Sequence, residues 1–162
     1  MKASGDAFQF KAAFNLRDLG CHMDWNKFDR GVFLVNCLAV IYNPKTKKIL
    51  IGKRENDPNI RKLGWCFPGG RPGYEKDIEY YLQKEVEKKT GLRIGRGKVV
   101  FAKTYPEKRE ILSIYYYVTM DSGEAKPGEK FTEVKWIKPT EVKKYFTTSL
   151  HPEVFKFLKT LR

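Results

Sequence analysis

The stretch Trp65-Cys-Phe-Pro-Gly-Gly70, followed by Lys84-Glu-Val-Glu-Lys-Lys-Thr-Gly-Leu92, joins a sharp backbone break to a helix of defined phase. Pro68 has no amide to donate, and Gly69 and Gly70 admit backbone conformations closed to other residues, so the chain turns here. Asp77 to Thr90 reads as a helix because Ile78, Leu82 and Val86 recur at four-residue spacing. Gly91 ends it as a C-cap. Glu85 and Lys89 stand four apart on this helix and share a face, in the order that favours an ion pair. Glu87, two residues from Glu85, points about 200° round the helix.

Working outward, Val32 to Tyr42 is a β-branched and apolar run that reads as a buried strand. Asn43-Pro44 makes a turn, and Ile49 to Arg54 returns as the hairpin partner. Residues 55 to 64 form a loop into Trp65. Beyond the helix, strands are expected at about 98–105, 109–120 and 131–137, with a polar loop over Gly123 to Lys130. Two short helices, Pro139 to Tyr145 and His151 to Leu161, close the chain. Strands bracketing a helix, with helices at the end, give an α/β fold with a mixed sheet between helical layers. Residues 1–31 mix aromatic and charged residues and read as an N-terminal extension packing on a domain that spans residues 32–162.

A chain of 162 residues with 41% hydrophobic content can bury one core. The longest apolar run is too short to cross a bilayer, which takes about 20 residues, and the first residues lack the apolar stretch of a signal peptide. A cytoplasmic protein without a membrane partner is expected. Cys21, Cys37 and Cys66 are scattered, in no metal-binding spacing, and read as reduced thiols. The net charge of +13 suits a polyanion partner such as RNA, and equally an ordinary lysine-rich surface.

The glycine turn and the helix after it resemble the signature of the Nudix hydrolases: Gly, five residues, Glu, seven residues, then Arg-Glu-apolar-any-Glu-Glu-any-Gly-apolar. Aligned on Gly70, the spacing runs without a gap to Leu92. The strand Phe131-Thr-Glu-Val-Lys-Trp-Ile137 with the Pro139 and Glu141 that follow is similar to a later part of the family's fold. The resemblance implies a Nudix fold from residue 32 onward. Lysines stand at most of the catalytic places: Lys76 at the first Glu, Lys84 at the Arg, Lys88 and Lys89 at the final pair, while Glu85 is kept.

In the family the helix glutamates hold magnesium or manganese against a diphosphate, and the metal activates the attacking water. The resemblance therefore implies Glu85 as catalytic residue and metal ligand if the chain is active, and no cofactor otherwise. Here the ammonium of Lys89 is expected where a metal would sit, neutralised by Glu85. An ammonium offsets phosphate charge but has no coordination sphere to acidify water, so binding can persist where hydrolysis fails. Arg54, Gly70, Arg71, Lys84 and Lys89 form the expected binding set. Arg71 has a counterpart in the GDP-mannose mannosyl hydrolase branch, where an arginine there stabilises the leaving group. Lys84 keeps the charge of the family's arginine without its bidentate fork.

Glu75, one place before the expected first Glu, is in reach of a one-residue loop adjustment. Glu107, Glu110 and Glu133 are candidates for the extra base or ligand that many family members take from later loops, though each of these three reads more readily as a surface charge. Tyr115, Tyr116 and Tyr117 alternate faces of a strand and suit sheet packing more than base stacking. Three functions stay open: a divergent, metal-dependent pyrophosphohydrolase; a module binding a nucleoside diphosphate-linked compound with weak or lost activity; and a basic RNA-binding or ribonucleoprotein subunit. A homodimer is compatible with each.

Overall fold

The computed structural model of the chain describes residues 32–55, 64–106, 108–147 and 150–161. The expectations for residues 1–31, for most of the loop before Trp65 and for Glu107 lie outside these residues. A division of the chain into two units falls between Val32 and Phe33.

Among the described residues eight strands form the sheet: β1 Leu34–Asn43, β2 Lys48–Lys53, β3 Trp65–Cys66, β4 Gly69–Gly70, β5 Arg93–Ile94, β6 Lys98–Tyr105, β7 Lys108–Ser122 and β8 Glu133–Ile137. Its main order is β3-β2-β1-β7-β5, with β4 beside β1, β6 beside β7 and β8 beside β2. The pairing of β1 with β7 is parallel, from Leu34 opposite Ile111 to Tyr42 opposite Thr119. The other pairings are antiparallel, so the sheet is mixed as expected. Helix α1 spans Ile78–Thr90; a 3-10 turn at Pro139–Glu141 leads into α2, Val142–Tyr145, and α3 spans Pro152–Leu158.

The central strand is apolar on both faces because both are covered. Cys37, Ala39 and Ile41 of β1 pack with Leu82 and Val86 of α1, joined by Tyr116 and Val118. The alternate residues Val40 and Tyr42 pack with Val142 of α2 and with Val154 and Leu158 of α3, joined by Tyr115. The sheet is thus sandwiched between helices. Tyr115 stacks on Phe101 with ring centroids 4.7 Å apart and is fully buried, so this tyrosine belongs to the core.

Several boundaries differ from the sequence reading for local reasons. The strand expected from residue 131 begins at Glu133, because Phe131 is turned onto Gly52 of β2, where a β-carbon would meet the ring at 2.0 Å. The helix expected from Pro139 starts as a 3-10 turn, with the Glu141 carboxylate accepting from the Lys138 amide at 3.0 Å. His151, expected as the first residue of the last helix, caps α3 instead: its Nδ1 accepts from the Glu153 amide at 3.2 Å. The short strands β3, β4 and β5 carry too few residues to show an alternation.

Candidate functional site

The site is assembled where β4 meets α1. Gly69 lies so close to β1 that a β-carbon would stand 2.0 Å from the Cys37 carbonyl oxygen. At Gly70 a β-carbon would stand 2.6 Å from Glu85 Oε2. The two glycines therefore let the turn lie flat between the central strand and the helix, with the Gly69 carbonyl facing α1.

Lys89 reaches back along the helix to this point. Its Nζ donates to Glu85 Oε2 at 2.8 Å and also to the Gly69 carbonyl oxygen. The Lys89 side chain is only 7% exposed, whereas Glu85 is 27% exposed. The ammonium is the inner partner and the carboxylate the outer one. A buried lysine is costly unless paired and hydrogen-bonded, and this one is both. Its position near the C-terminus of α1 also suits a cation, since the helix dipole is negative there.

The remaining expected residues are distributed as follows. Arg71 follows the glycine turn and is exposed. Arg54 follows β2, its amide donating to the Gly64 carbonyl at 2.8 Å, and is half-buried. Lys84 points elsewhere: it pairs with Glu87 at 3.3 Å on the solvent face, one helical step from Glu85. Arg93 joins that pair, with Nε 3.0 Å from Glu87. The Arg93 and Lys84 hydrogen bonds hold the Glu87 carboxyl below the usual glutamate range. The structure thus separates Lys84 from the Glu85–Lys89 pair, because a residue directly before Glu85 falls about 100° round the helix. Lys88 is likewise exposed.

Of the further carboxylates, Glu133 pairs with Lys135 at 3.4 Å and Glu110 is exposed. Glu75 is exposed, and its amide donates to the Tyr81 hydroxyl at 3.3 Å, which anchors the loop before α1. Among the described residues no group of three or more His, Cys, Asp or Glu side chains gathers to hold a metal ion. Among the described residues, the Glu85 oxygen and the Gly69 carbonyl that face one point already receive an ammonium, and this pair of groups as arranged does not fit a divalent cation. An ammonium can bind and orient an anion but cannot supply an open coordination position.

Sequence reasoning missed the Gly69 carbonyl, which is a backbone group, and the segment Gly123–Thr132 that wraps the end of α1. Lys126, Gly128 and Glu129 donate their amides to the carbonyls of Thr90, Lys89 and Lys88 at 2.9, 3.0 and 3.0 Å. Its composition reads as an ordinary loop; only the glycines at 123 and 128 carry a hint of close approach.

Comparison with known proteins places the fold. The family model described as NUDIX domain matches residues 32–160. A MutT structure from work on the Aliivibrio salmonicida and Vibrio cholerae proteins is 19% identical, with a TM-score of 0.61, covering 78% of this chain and 95% of that one. The MutT NUDIX hydrolase from Burkholderia pseudomallei is 20% identical, with a TM-score of 0.60 and coverage of 79% and 97%. An ADP-ribose pyrophosphatase from Streptococcus suis is 20% identical, with a TM-score of 0.57 and coverage of 79% and 91%. No curated protein sequence matches.

Proposed function

Since this chain belongs to the NUDIX family, we propose that it binds a compound built on a nucleoside diphosphate, with the Lys89 ammonium in place of a divalent ion, and that it hydrolyses such compounds weakly or not at all. Hydrolases of this family generally work with divalent metals. The observation that carries the reading is the ion pair itself: Lys89 bridges Glu85 and the Gly69 carbonyl from a nearly solvent-free position.

The pair is neutral overall, so the attraction for a diphosphate comes from cations around it. Arg71, directly after the glycine turn, and Arg54, at the end of β2, are the residues we assign to it. An arginine fork suits phosphate oxygens better than an ammonium does, because it offers paired donors in a fixed plane. Glu85 is then a partner of Lys89 rather than a free base. The absence of any described helix long and apolar enough to cross a membrane is compatible with a cytoplasmic setting.

The test is calorimetric titration with ADP-ribose and other nucleoside diphosphate derivatives, with and without magnesium or manganese, alongside a turnover assay. Metal-independent binding that weakens in Arg71→Ala and Arg54→Ala supports the reading. Efficient turnover that requires metal and disappears in Glu85→Ala refutes it. A second reading, RNA binding, is favoured by the β1–β2 turn, where Lys45, Lys47 and Lys48 occur with no acidic residue between Asn43 and Ile49. Salt-sensitive binding of RNA of any sequence, lost when these lysines are replaced, would support that reading.

A further inference from the structure

We infer that the segment Gly123–Thr132 is a positioning element for the Lys89 ammonium, tying the end of α1 to the end of β2. The inference rests on the reading of Lys89 as the site's cation. A helix leaves its last four carbonyls without internal partners, and buried ends need other donors. In α1 all four are satisfied. The Gly91 amide, in a left-handed residue with φ 71°, donates to Glu87 at 2.9 Å. The amides of Glu129, Gly128 and Lys126 serve Lys88, Lys89 and Thr90 in turn.

The close approach depends on glycine. A β-carbon at Gly128 would stand 2.0 Å from the Lys88 carbonyl oxygen, and one at Gly123 would stand 2.5 Å from that of Gly91. At its other end the segment is fastened to β2. The Phe131 amide donates to the Gly128 carbonyl at 3.1 Å, and its buried ring lies over Gly52. The Thr132 amide donates to the Lys53 carbonyl at 2.9 Å, directly before Arg54. Four Cα steps of about 3.8 Å separate Gly128 from Thr132, so the two anchorages stand at most about 15 Å apart. The backbone of Lys89 and the backbone that leads into Arg54 are thereby held in a fixed relation. Gly128 and Phe131 are positioning residues; neither touches the ammonium.

The experiment reads the ammonium directly in the full-length, ligand-free chain by nitrogen-15 NMR. A buried, hydrogen-bonded ammonium exchanges its protons slowly, and its resonance is assigned by its loss in Lys89→Met. In Gly128→Ala the amides of Lys126 and Glu129 and the Lys89 ammonium are expected to exchange at least tenfold faster, with the amides of Ile41 and Val118 unchanged. If Gly128→Ala does not fold, Phe131→Ala should give the same pattern and Phe131→Leu should restore slow exchange. Slow ammonium exchange despite freed strap amides overturns the inference. So does equal loss of protection in the sheet and at Lys89 in both Phe131 variants, which marks a merely structural role. Because no ligand is involved, failure here is distinct from a failure to bind a nucleoside diphosphate.

Discussion

Replacing Lys89 by glutamate should make the stability of the chain depend on divalent ions. The substitution places two carboxylates four residues apart on one helix face, with β-carbons about 5–6 Å apart, beside the Gly69 carbonyl. Without metal, three oxygens then face one point with no donor. Two unit charges about 4 Å apart repel by roughly 4 kcal/mol at an effective dielectric of 20, and the 27% exposure of Glu85 screens this to about half. The orphaned Gly69 carbonyl adds about 1–3 kcal/mol. A metal-free loss of about 3–5 kcal/mol follows, within the 5–15 kcal/mol that a domain typically has. A divalent ion takes oxygen ligands of this kind, and at one hundred times its Kd it returns about 2.7 kcal/mol. For a chain of this size that is a rise in Tm of roughly 5–11 °C. Thermal unfolding of both proteins with EDTA or with manganese checks the reasoning, supported by calorimetric titration of the ion. The wild type should not shift between the two conditions. A Lys89→Glu Tm that ignores manganese, or a wild-type Tm that rises as much, refutes the assignment of Lys89 to a cation position.

Gly70→Ala should push a methyl group against Glu85 Oε2, 2.6 Å from the ideal β-carbon, and draw the carboxylate off Lys89; affinity for ADP-ribose should fall about tenfold, read by calorimetry. Leu82→Ala on the buried face of α1 should cost about 2–5 kcal/mol, read from denaturant midpoints. Burial, aided by the charge of Glu79, pushes the Cys37 thiol from 9.0 up to about 11. Its unfolded form therefore loses the proton first as pH rises, so this group withdraws stability between pH 9 and 11 and none below. Alkylation of Cys37 by iodoacetamide at pH 8, followed by mass spectrometry, should occur only at the rate of unfolding.

The parts of the fold carried by long periodic runs were legible in the chain. Ile78, Leu82 and Val86 with Gly91 mark α1 to within a residue of its observed ends, and the Lys98–Tyr105 strand matches its expected bounds. The Glu85–Lys89 pair followed from phase alone, since four residues on a helix amount to 40° of rotation. Other features depended on neighbours distant in sequence. Lys84 was expected at the site because it stands at the arginine of the family signature, yet its solvent-facing phase gives it to Glu87, with Arg93 arriving from β5. Phe131 reads as the first residue of a strand until Gly52, far back in the chain, supplies the gap that its ring fills. The backbone amides of Lys126, Gly128 and Glu129 have no side-chain signature at all.

The exchange of a metal for an ammonium at such a point changes more than catalytic power. A divalent ion dissociates, carries two charges and leaves coordination positions open to substrate. Lys89 is fixed by its own stem, carries one charge and spends its hydrogen bonds on Glu85 and the Gly69 carbonyl. What it preserves is therefore the mechanical part of the site, the attachment of the glycine turn to α1. On the proposed reading, attraction for phosphate passes to residues outside the pair, and the ammonium itself offers no coordination position at which water could be activated. Preservation of Glu85 is then explained by pairing rather than by catalysis: a nearly buried ammonium is costly without a carboxylate to pair with it. On this argument Glu85→Gln should weaken the fold locally while changing a hydrolytic rate little. The opposite pattern, an intact fold with a large loss of turnover, would return Glu85 to the role of ligand or base.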